Sequence, residues 1–138
     1  MTGIVILGGA RTAIGTFGGS LVGIEPAALG TITAKAAMER AGVAPEQIGH
    51  VAYGHIINTQ PRDMYLSRAA SIAAGVKQDT PALTLNRLCG SGLQAVLTAA
   101  QFFLEESFAS IVNPALTNIS FVIAVSVATM LPGIVYKG

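Results

Sequence analysis

Short apolar runs alternate with stretches of helical periodicity along this chain. Strands are predicted from the β-branched or alternating runs at Gly3 to Leu7, at residues 50–57 and at residues 81–88. Helices are predicted at Pro26 to Ala41, which ends before Gly42, and at residues 66–74, which end near Gly75. This alternation indicates an α/β domain, in which a mostly parallel sheet carries helices on its faces.

The second half of the chain continues the same pattern with more apolar residues. A third helix is predicted from Ser91, because one apolar helical face is formed by Leu93, Val96, Leu97, Ala100 and Leu104. Glu105 and Glu106 oppose the helix dipole, so this helix either continues past them or ends irregularly. A fourth strand is predicted in the β-branched run at residues 118–128, followed by a turn at Pro132 and Gly133.

Composition limits the possible partners. The 138 residues suit one domain, and the 8 basic and 7 acidic residues give a net charge of +1 without a basic cluster, which argues against a nucleic-acid partner. Only 11% of residues are charged and 51% are apolar, so we expect the chain to associate with other chains.

One cysteine and two histidines cannot form a disulfide framework or a Cys/His zinc site, so no metal and a reducing, cytoplasmic compartment are predicted. The amino-terminal apolar run has no basic segment before it and is interpreted as a strand rather than a signal peptide. Residues 107–136 lack charge over a length that could cross a bilayer. Polar residues interrupt that span and its β-branched bias favours a buried strand, so a membrane anchor is the less favoured alternative.

The stretch LNRLCGSGLQAV, Leu85 to Val96, contains the only cysteine. Cys89 is predicted at a strand-to-helix bend, where unpaired amides and the helix dipole favour a thiolate. Such a thiolate could attack a thioester carbon, and Gly90 and Gly92 would let amides approach the developing oxyanion. Free cysteine is also among the most buried residue types, so a structural role is equally compatible with this position.

Other residues give weaker signals. His50 and His55 are the only candidates for a general base, but both lie on another predicted strand and are more simply structural. The loop NTQPRDMY, residues 58–65, is expected to expose Arg62 and Asp63. Arg11, Arg62 and Arg87 could each bind an anion or serve as structural donors. The glycine-rich segment after the first strand lacks the nucleotide-binding motifs.

Three ordered segments resemble the thiolase family, which comprises the acetyl-CoA acetyltransferases and 3-ketoacyl-CoA thiolases. LNRLCGSGLQAV is similar to the active-site segment of that family, and GGARTAIGTFGGSL is similar to its amino-terminal segment. GHIINTQPRDMYLSRAASIAAGV resembles the region between them. The resemblance runs in register from about Ile4 to Gln101, so residues 1–101 are interpreted as a thiolase-like amino-terminal half and residues 102–138 as a divergent continuation of the same domain.

The resemblance implies the amino-terminal half of a layered thiolase fold and an acyltransferase acting on acyl-CoA or 3-ketoacyl-CoA thioesters. It implies that Cys89 is the nucleophile that forms the acyl-enzyme, and that the Cys89 amide contributes to the oxyanion hole. Coenzyme A would enter as part of the substrate, with no separate cofactor and no metal. Family members assemble as dimers or tetramers, so the expected partners are further copies or a carboxyl-terminal thiolase half.

Two departures from the family pattern keep a second hypothesis open. Ala128 stands where the family has a glutamate, in the segment VSVATM, residues 125–130. The family's catalytic histidine and second cysteine lie in a carboxyl-terminal half that this sequence does not contain. The alternative is therefore a non-catalytic thiolase-like subunit that binds acyl-CoA or a partner chain.

Overall fold

The computed structural model describes residues 4–112 and 121–126, with side chains described from residue 4 to residue 102. The helices are α1 (Pro26–Ala41), α2 (Leu66–Ala73) and α3 (Ser91–Val112), with two 3-10 turns at Pro45–Gln47 and Pro61–Tyr65. The strands are β1 (Ile48–Gly54), β2 (Ala82–Leu85) and β3 (Phe121–Ser126).

The three strands form one parallel sheet in the order β2-β1-β3. Val51 to Gly54 of β1 pair with Ala82 to Leu85 of β2, and β1 pairs along its other edge with β3. Parallel strands need crossover connections, and here the helices provide them. The predicted α/β architecture with a mostly parallel sheet is confirmed, and β3 confirms the predicted fourth strand between residues 121 and 126.

Helix α1 begins and ends where its sequence predicts. Pro26 occupies the first turn, where its missing N–H costs no hydrogen bond. Gly42 follows the helix with a φ of 66°, and the Val43 amide donates to the Met38 carbonyl at 3.0 Å, as in a Schellman ending. Pro26 and Gly42 are therefore enough to explain where this helix begins and ends. Its buried face, which includes Met38 and Ala34, packs against the core.

The core lies between the sheet and the pair α1 and α2. Tyr53 and Leu66 are its largest fully buried apolar side chains. The Tyr53 hydroxyl donates to the carbonyl of Gly30 at 3.2 Å, which links the central strand to α1, and burial raises the pKa of this phenol. At the start of α2, the Ser67 amide donates to the Thr84 hydroxyl at 3.0 Å and so connects α2 to β2.

The prediction of a strand at the amino terminus is wrong for Ile4–Leu7. These residues carry no strand pairing in the described chain, and the side chains of Val5 and Ile6 are 71% and 83% exposed. A β-branched run becomes a strand only when another strand accepts its hydrogen bonds. Both edges of the central strand β1 are occupied, and Ile4–Leu7 does not pair with the outer edge of β2 or of β3 in the described residues.

Helix α3 exists as predicted but presents a different face to the sheet. Among its described side chains, those of residues 91–102, the buried ones are Ser91, Ala95 and Ala99, spaced four apart. Leu93 is 67% exposed and Leu97 is 47% exposed, so the described part of the predicted apolar face points away from this core. Small residues let α3 lie close to the strands, and its larger apolar side chains are left for another surface.

Several boundaries shift from their predicted positions. β1 ends at Gly54 and β2 ends at Leu85, three residues earlier in each case than the apolar runs suggest. Helix α3 continues past the two glutamates to Val112. The predicted turn at residues 132–133 and Ala128 lie outside the described residues. No helix in the described ranges has the length and apolar character required to cross a membrane.

Candidate active site

Cys89 lies in the bend of residues 86–90 that joins β2 to α3, as the sequence predicts. Its thiol is free and the residue is exposed. The exposure contradicts the alternative of a buried structural cysteine. The position two residues before Ser91 places Cys89 beside the amino terminus of a 22-residue helix.

Side chains hold this bend on both sides of Cys89. The Asn86 side-chain oxygen accepts from the Leu88 amide at 2.9 Å. The buried Ser91 hydroxyl accepts from the Arg87 amide at 2.8 Å and donates to the Leu88 carbonyl at 2.7 Å. These bonds satisfy backbone groups that neither the strand nor the helix can satisfy.

Leu88 has a φ of 47°, the only positive value for a non-glycine residue in the described chain. Leucine rarely adopts this left-handed conformation, because its Cβ then approaches the backbone closely. Such a conformation persists only when neighbouring contacts impose it, and it is a common feature of functional sites. The unusual backbone lies immediately before the cysteine.

The amides around Cys89 divide into two groups. Those of Arg87, Leu88, Gly90 and Ser91 all donate hydrogen bonds within the bend. Within the described part of the chain, the amides of Cys89, Gly92 and Leu93 donate to no acceptor. Unpaired amides at a helix amino terminus are suited to stabilise a negative charge on an acceptor oxygen.

Gly54 sets the distance between β1 and the start of α3. A Cβ at this position would lie 2.6 Å from the carbonyl carbon and the carbonyl oxygen of Ser91, and 2.9 Å from the Gly92 nitrogen. Real Cβ atoms do not approach other atoms so closely. Glycine at the end of β1 therefore allows α3 to begin directly against the strand.

The two histidines occupy different environments. The ring of His50 stacks on Phe102 with centroids 4.8 Å apart. His55 is buried, and neither of its ring nitrogens has a partner at hydrogen-bonding geometry within the described residues. Burial lowers the pKa of His55, while the nearby Asp63 and Asn58 side chains oppose that shift. The structure gives neither ring a hydrogen bond to Cys89, so neither is assigned as a general base.

The prediction that Asp63 is exposed is wrong. Asp63 is fully buried, and one carboxylate oxygen accepts from the Thr59 amide at 2.7 Å, the Thr59 hydroxyl at 2.8 Å and the Gln60 amide at 3.2 Å. Burial alone would raise the pKa of Asp63, but these hydrogen bonds hold it below its ordinary value. The carboxylate replaces water as the partner of these loop donors, and for that reason it is buried despite its charge.

The three candidate arginines are used locally. Arg11 donates to the Thr12 carbonyl at 3.0 Å, and Arg87 donates to the Gln94 side chain at 2.7 Å. Arg62 lies 3.9 Å from the Glu25 carboxylate at the surface. These contacts favour the structural interpretation of each arginine.

Sequence reasoning did not identify Asn86 and Gly54 as parts of the site. Asn86 had a possible signal, because asparagine often accepts from an amide two residues ahead in a turn. Gly54 had none, because its close neighbour is remote in sequence. Among the described side chains, no cluster of histidine, cysteine and carboxylate residues could hold a metal ion.

Comparison with known sequences decides the family. Residues 4–113 match the amino-terminal domain of thiolase. The chain belongs to the thiolase family. A beta-ketothiolase of Cupriavidus necator is 54% identical over 101 residues, a match that covers 73% of this chain and 26% of that protein. The cytosolic acetyl-CoA acetyltransferase of Rattus norvegicus is 38% identical over 117 residues, covering 85% of this chain and 29% of that protein.

Solved thiolase structures have the same fold. The human mitochondrial 3-ketoacyl-CoA thiolase superposes with a TM-score of 0.71 at 34% identity, over 73% of this chain and 26% of that one. The same human enzyme in complex with CoA gives a TM-score of 0.67 at 36% identity, over 69% of this chain and 24% of that one. The described chain has the amino-terminal part of the thiolase fold, and it spans about a quarter of the length of the thiolases that it matches.

Proposed function

We propose that this chain supplies the nucleophile of a thiolase-type acyl-CoA acyltransferase, and that Cys89 carries the acyl group as a thioester. The observation that carries the proposal is the exposed Cys89 thiol beside three amides that lack acceptors in the described chain. Membership of the thiolase family supports the acyl-CoA or 3-ketoacyl-CoA substrate class. Coenzyme A takes part as a portion of the substrate, with no further cofactor.

The proposed reaction has two steps. The Cys89 thiolate attacks the carbonyl carbon of an acyl-CoA, and the oxygen of the tetrahedral intermediate accepts from the Cys89 amide. The carbonyl then re-forms as the bond to the CoA sulfur breaks, so CoA leaves as a thiolate and the acyl group stays on Cys89. With a 3-ketoacyl-CoA, attack at the keto carbon breaks the adjacent carbon–carbon bond instead, and the departing acetyl-CoA carbanion takes up a proton. The acyl group finally passes to the thiol of CoA or to an acyl-CoA carbanion.

We propose that the proton transfers in these steps require groups outside this chain. His50 stacks on the Phe102 ring, His55 is buried, and neither ring has a hydrogen bond to Cys89, so neither is proposed as its base. The exposed Leu93 and Leu97 of α3 form an apolar surface that is suited to contact a further part of the thiolase fold or another chain. This contact would come from a carboxyl-terminal thiolase half or a further copy in a dimer or tetramer.

A second candidate function is a non-catalytic thiolase-like subunit that binds acyl-CoA or a partner chain. The resemblance to the family favours it, because Ala128 stands where the family pattern implies a glutamate. In this case the Cys89 bend would persist as a structural element without forming an acyl-enzyme.

An acylation assay separates the two functions. The natural full-length protein, with any carboxyl-terminal partner present, is incubated with acetyl-CoA and its intact mass is measured. We expect the addition of one acetyl group, which hydroxylamine removes and which the Cys89→Ser variant does not acquire. Binding of CoA by calorimetry without any adduct would instead establish the non-catalytic function.

A further inference from the structure

We propose that Asn86 is a positioning residue for the Cys89 nucleophile, an inference that rests on the proposed function. Asn86 is exposed, so its side chain has no role in filling the core. Its two hydrogen bonds connect the bend that carries Cys89 to the chain that follows β1.

Each end of the Asn86 amide has a different partner. The side-chain oxygen accepts from the Leu88 amide at 2.9 Å, and the side-chain nitrogen donates to the Ile56 carbonyl at 3.0 Å. The first partner is a donor and the second is an acceptor, so only one orientation of the amide satisfies both. The side chain therefore fixes Leu88 relative to the end of β1.

The position of Leu88 determines the direction of the Cys89 amide. Leu88 has the positive φ that leucine rarely adopts, and hydrogen bonds hold it at both ends. Asn86 holds its N–H, while the hydroxyl and the amide of Ser91 donate to its carbonyl at 2.7 Å and 3.0 Å.

The Leu88 carbonyl and the Cys89 N–H belong to one planar trans peptide unit and point in opposite directions. When the carbonyl points at Ser91, the Cys89 N–H points away from it, toward the side on which no acceptor is present in the described chain. The Asn86 and Ser91 contacts thus aim the amide that would stabilise the oxyanion.

The bond to Ile56 adds a second constraint. One residue earlier, the His55 amide donates to the Leu85 carbonyl at 2.9 Å, which continues the pairing of β1 and β2 beyond their ends. The hydrogen bond from the Asn86 side chain to the Ile56 carbonyl adds one more connection, one residue beyond His55 and Leu85. The bend is therefore connected to the sheet in two ways. One is the backbone of β2, and the other is the hydrogen bond from the Asn86 side chain to the chain that follows β1.

Two variants test the proposal in the natural full-length protein. Asn86→Ala removes both hydrogen bonds, whereas Asn86→Asp keeps the acceptor for Leu88 and loses the donor to Ile56. We expect Asn86→Ala to lower the rate constant of Cys89 acylation by about 10- to 100-fold, the scale that a displacement of about 1 Å produces in a reacting group. The KM for acetyl-CoA should change little, and Asn86→Asp should recover part of the rate. Gln101→Ala, which removes an exposed amide from α3, is the matched control.

A second readout does not depend on acyl transfer. Iodoacetamide alkylates Cys89 without needing an oxyanion donor, and its rate is measured across pH for wild type, both Asn86 variants and the control. If wild type is not acetylated, the proposed function fails. The positioning role is still supported if the pH dependence of the alkylation rate of Asn86→Ala differs from that of Gln101→Ala. The inference would be overturned if Asn86→Ala were acylated at the wild-type rate. If wild type is not acylated at all, an alkylation rate of Asn86→Ala equal to that of wild type would overturn it. If Asn86→Ala does not fold, Asn86→Leu, which is similar in size and lacks both hydrogen-bonding groups, is judged by the same criteria.

Discussion

Replacement of Gly54 by alanine tests how closely α3 must approach the sheet. The added Cβ would meet the carbonyl group of Ser91 at 2.6 Å, whereas ordinary contacts begin at 3.4 Å. The obstructing atoms are backbone, so no side chain can rotate aside. The start of α3 or the end of β1 would have to move by about 0.8 Å.

The expected cost follows from this displacement. Overpacking of a well-packed site costs about 1–3 kcal/mol, and we expect Gly54→Ala to lower the free energy of unfolding by that amount. Cys89 lies two residues before Ser91, so the same movement displaces the thiol. A shift close to 1 Å in a reacting group can lower its rate about 100-fold, and acylation of Cys89 should fall toward that extent.

The measurement is urea unfolding followed by far-UV circular dichroism, together with the acylation assay. Gly9→Ala is the matched control, because a Cβ at Gly9 meets no atom within 4 Å. Alanine restricts the unfolded chain, so this control should be unchanged or slightly more stable. Equal stability and equal acylation in Gly54→Ala and Gly9→Ala would refute the argument from close approach.

Two further predictions concern the loop before α2 and the start of α3. The folded-state pKa of Asp63 lies below the ordinary 3.8, so its stabilising contribution is present above that value and is lost as the pH falls through the folded pKa. Urea unfolding below about pH 4 should therefore show a steeper loss of stability in wild type than in Asp63→Asn, and equal slopes would contradict this. Ser91→Ala removes two hydrogen bonds, from the Arg87 amide and to the Leu88 carbonyl, and at about 0.5–1.5 kcal/mol for each bond it should cost about 1–3 kcal/mol, measured against Ser20→Ala, which alters an exposed serine in a turn.

Local chemistry made part of this fold predictable from sequence. Pro26 and Gly42 determine the ends of α1 through the missing N–H of one residue and the left-handed conformation of the other. The alternation of apolar runs and helical stretches was enough to predict a parallel sheet. The same reasoning located Cys89 between β2 and α3, where the structure has it.

The features that sequence reasoning missed depend on residues that are distant along the chain. Ile4–Leu7 has the composition of a strand, but it pairs with neither outer edge of the sheet in the described residues, and composition does not specify a pairing partner. The buried face of α3 depends on which side of the helix contacts the sheet. That side carries the small residues Ala95 and Ala99, whereas Leu93 and Leu97 are exposed. Asp63 is buried because nearby loop amides need an acceptor, a requirement that hydropathy does not record.

The unpaired run Ile4–Leu7 also affects how this chain behaves in concentrated solution. The run has no charge and no proline, and Arg40 holds the chain beside it through a hydrogen bond to the Gly9 carbonyl at 2.7 Å. The outer edges of β2 and β3 carry no strand within the described residues. An unpaired β-branched segment and sheet edges that carry no strand in the described residues can pair between molecules. A chain that covers these edges would remove this route to self-association.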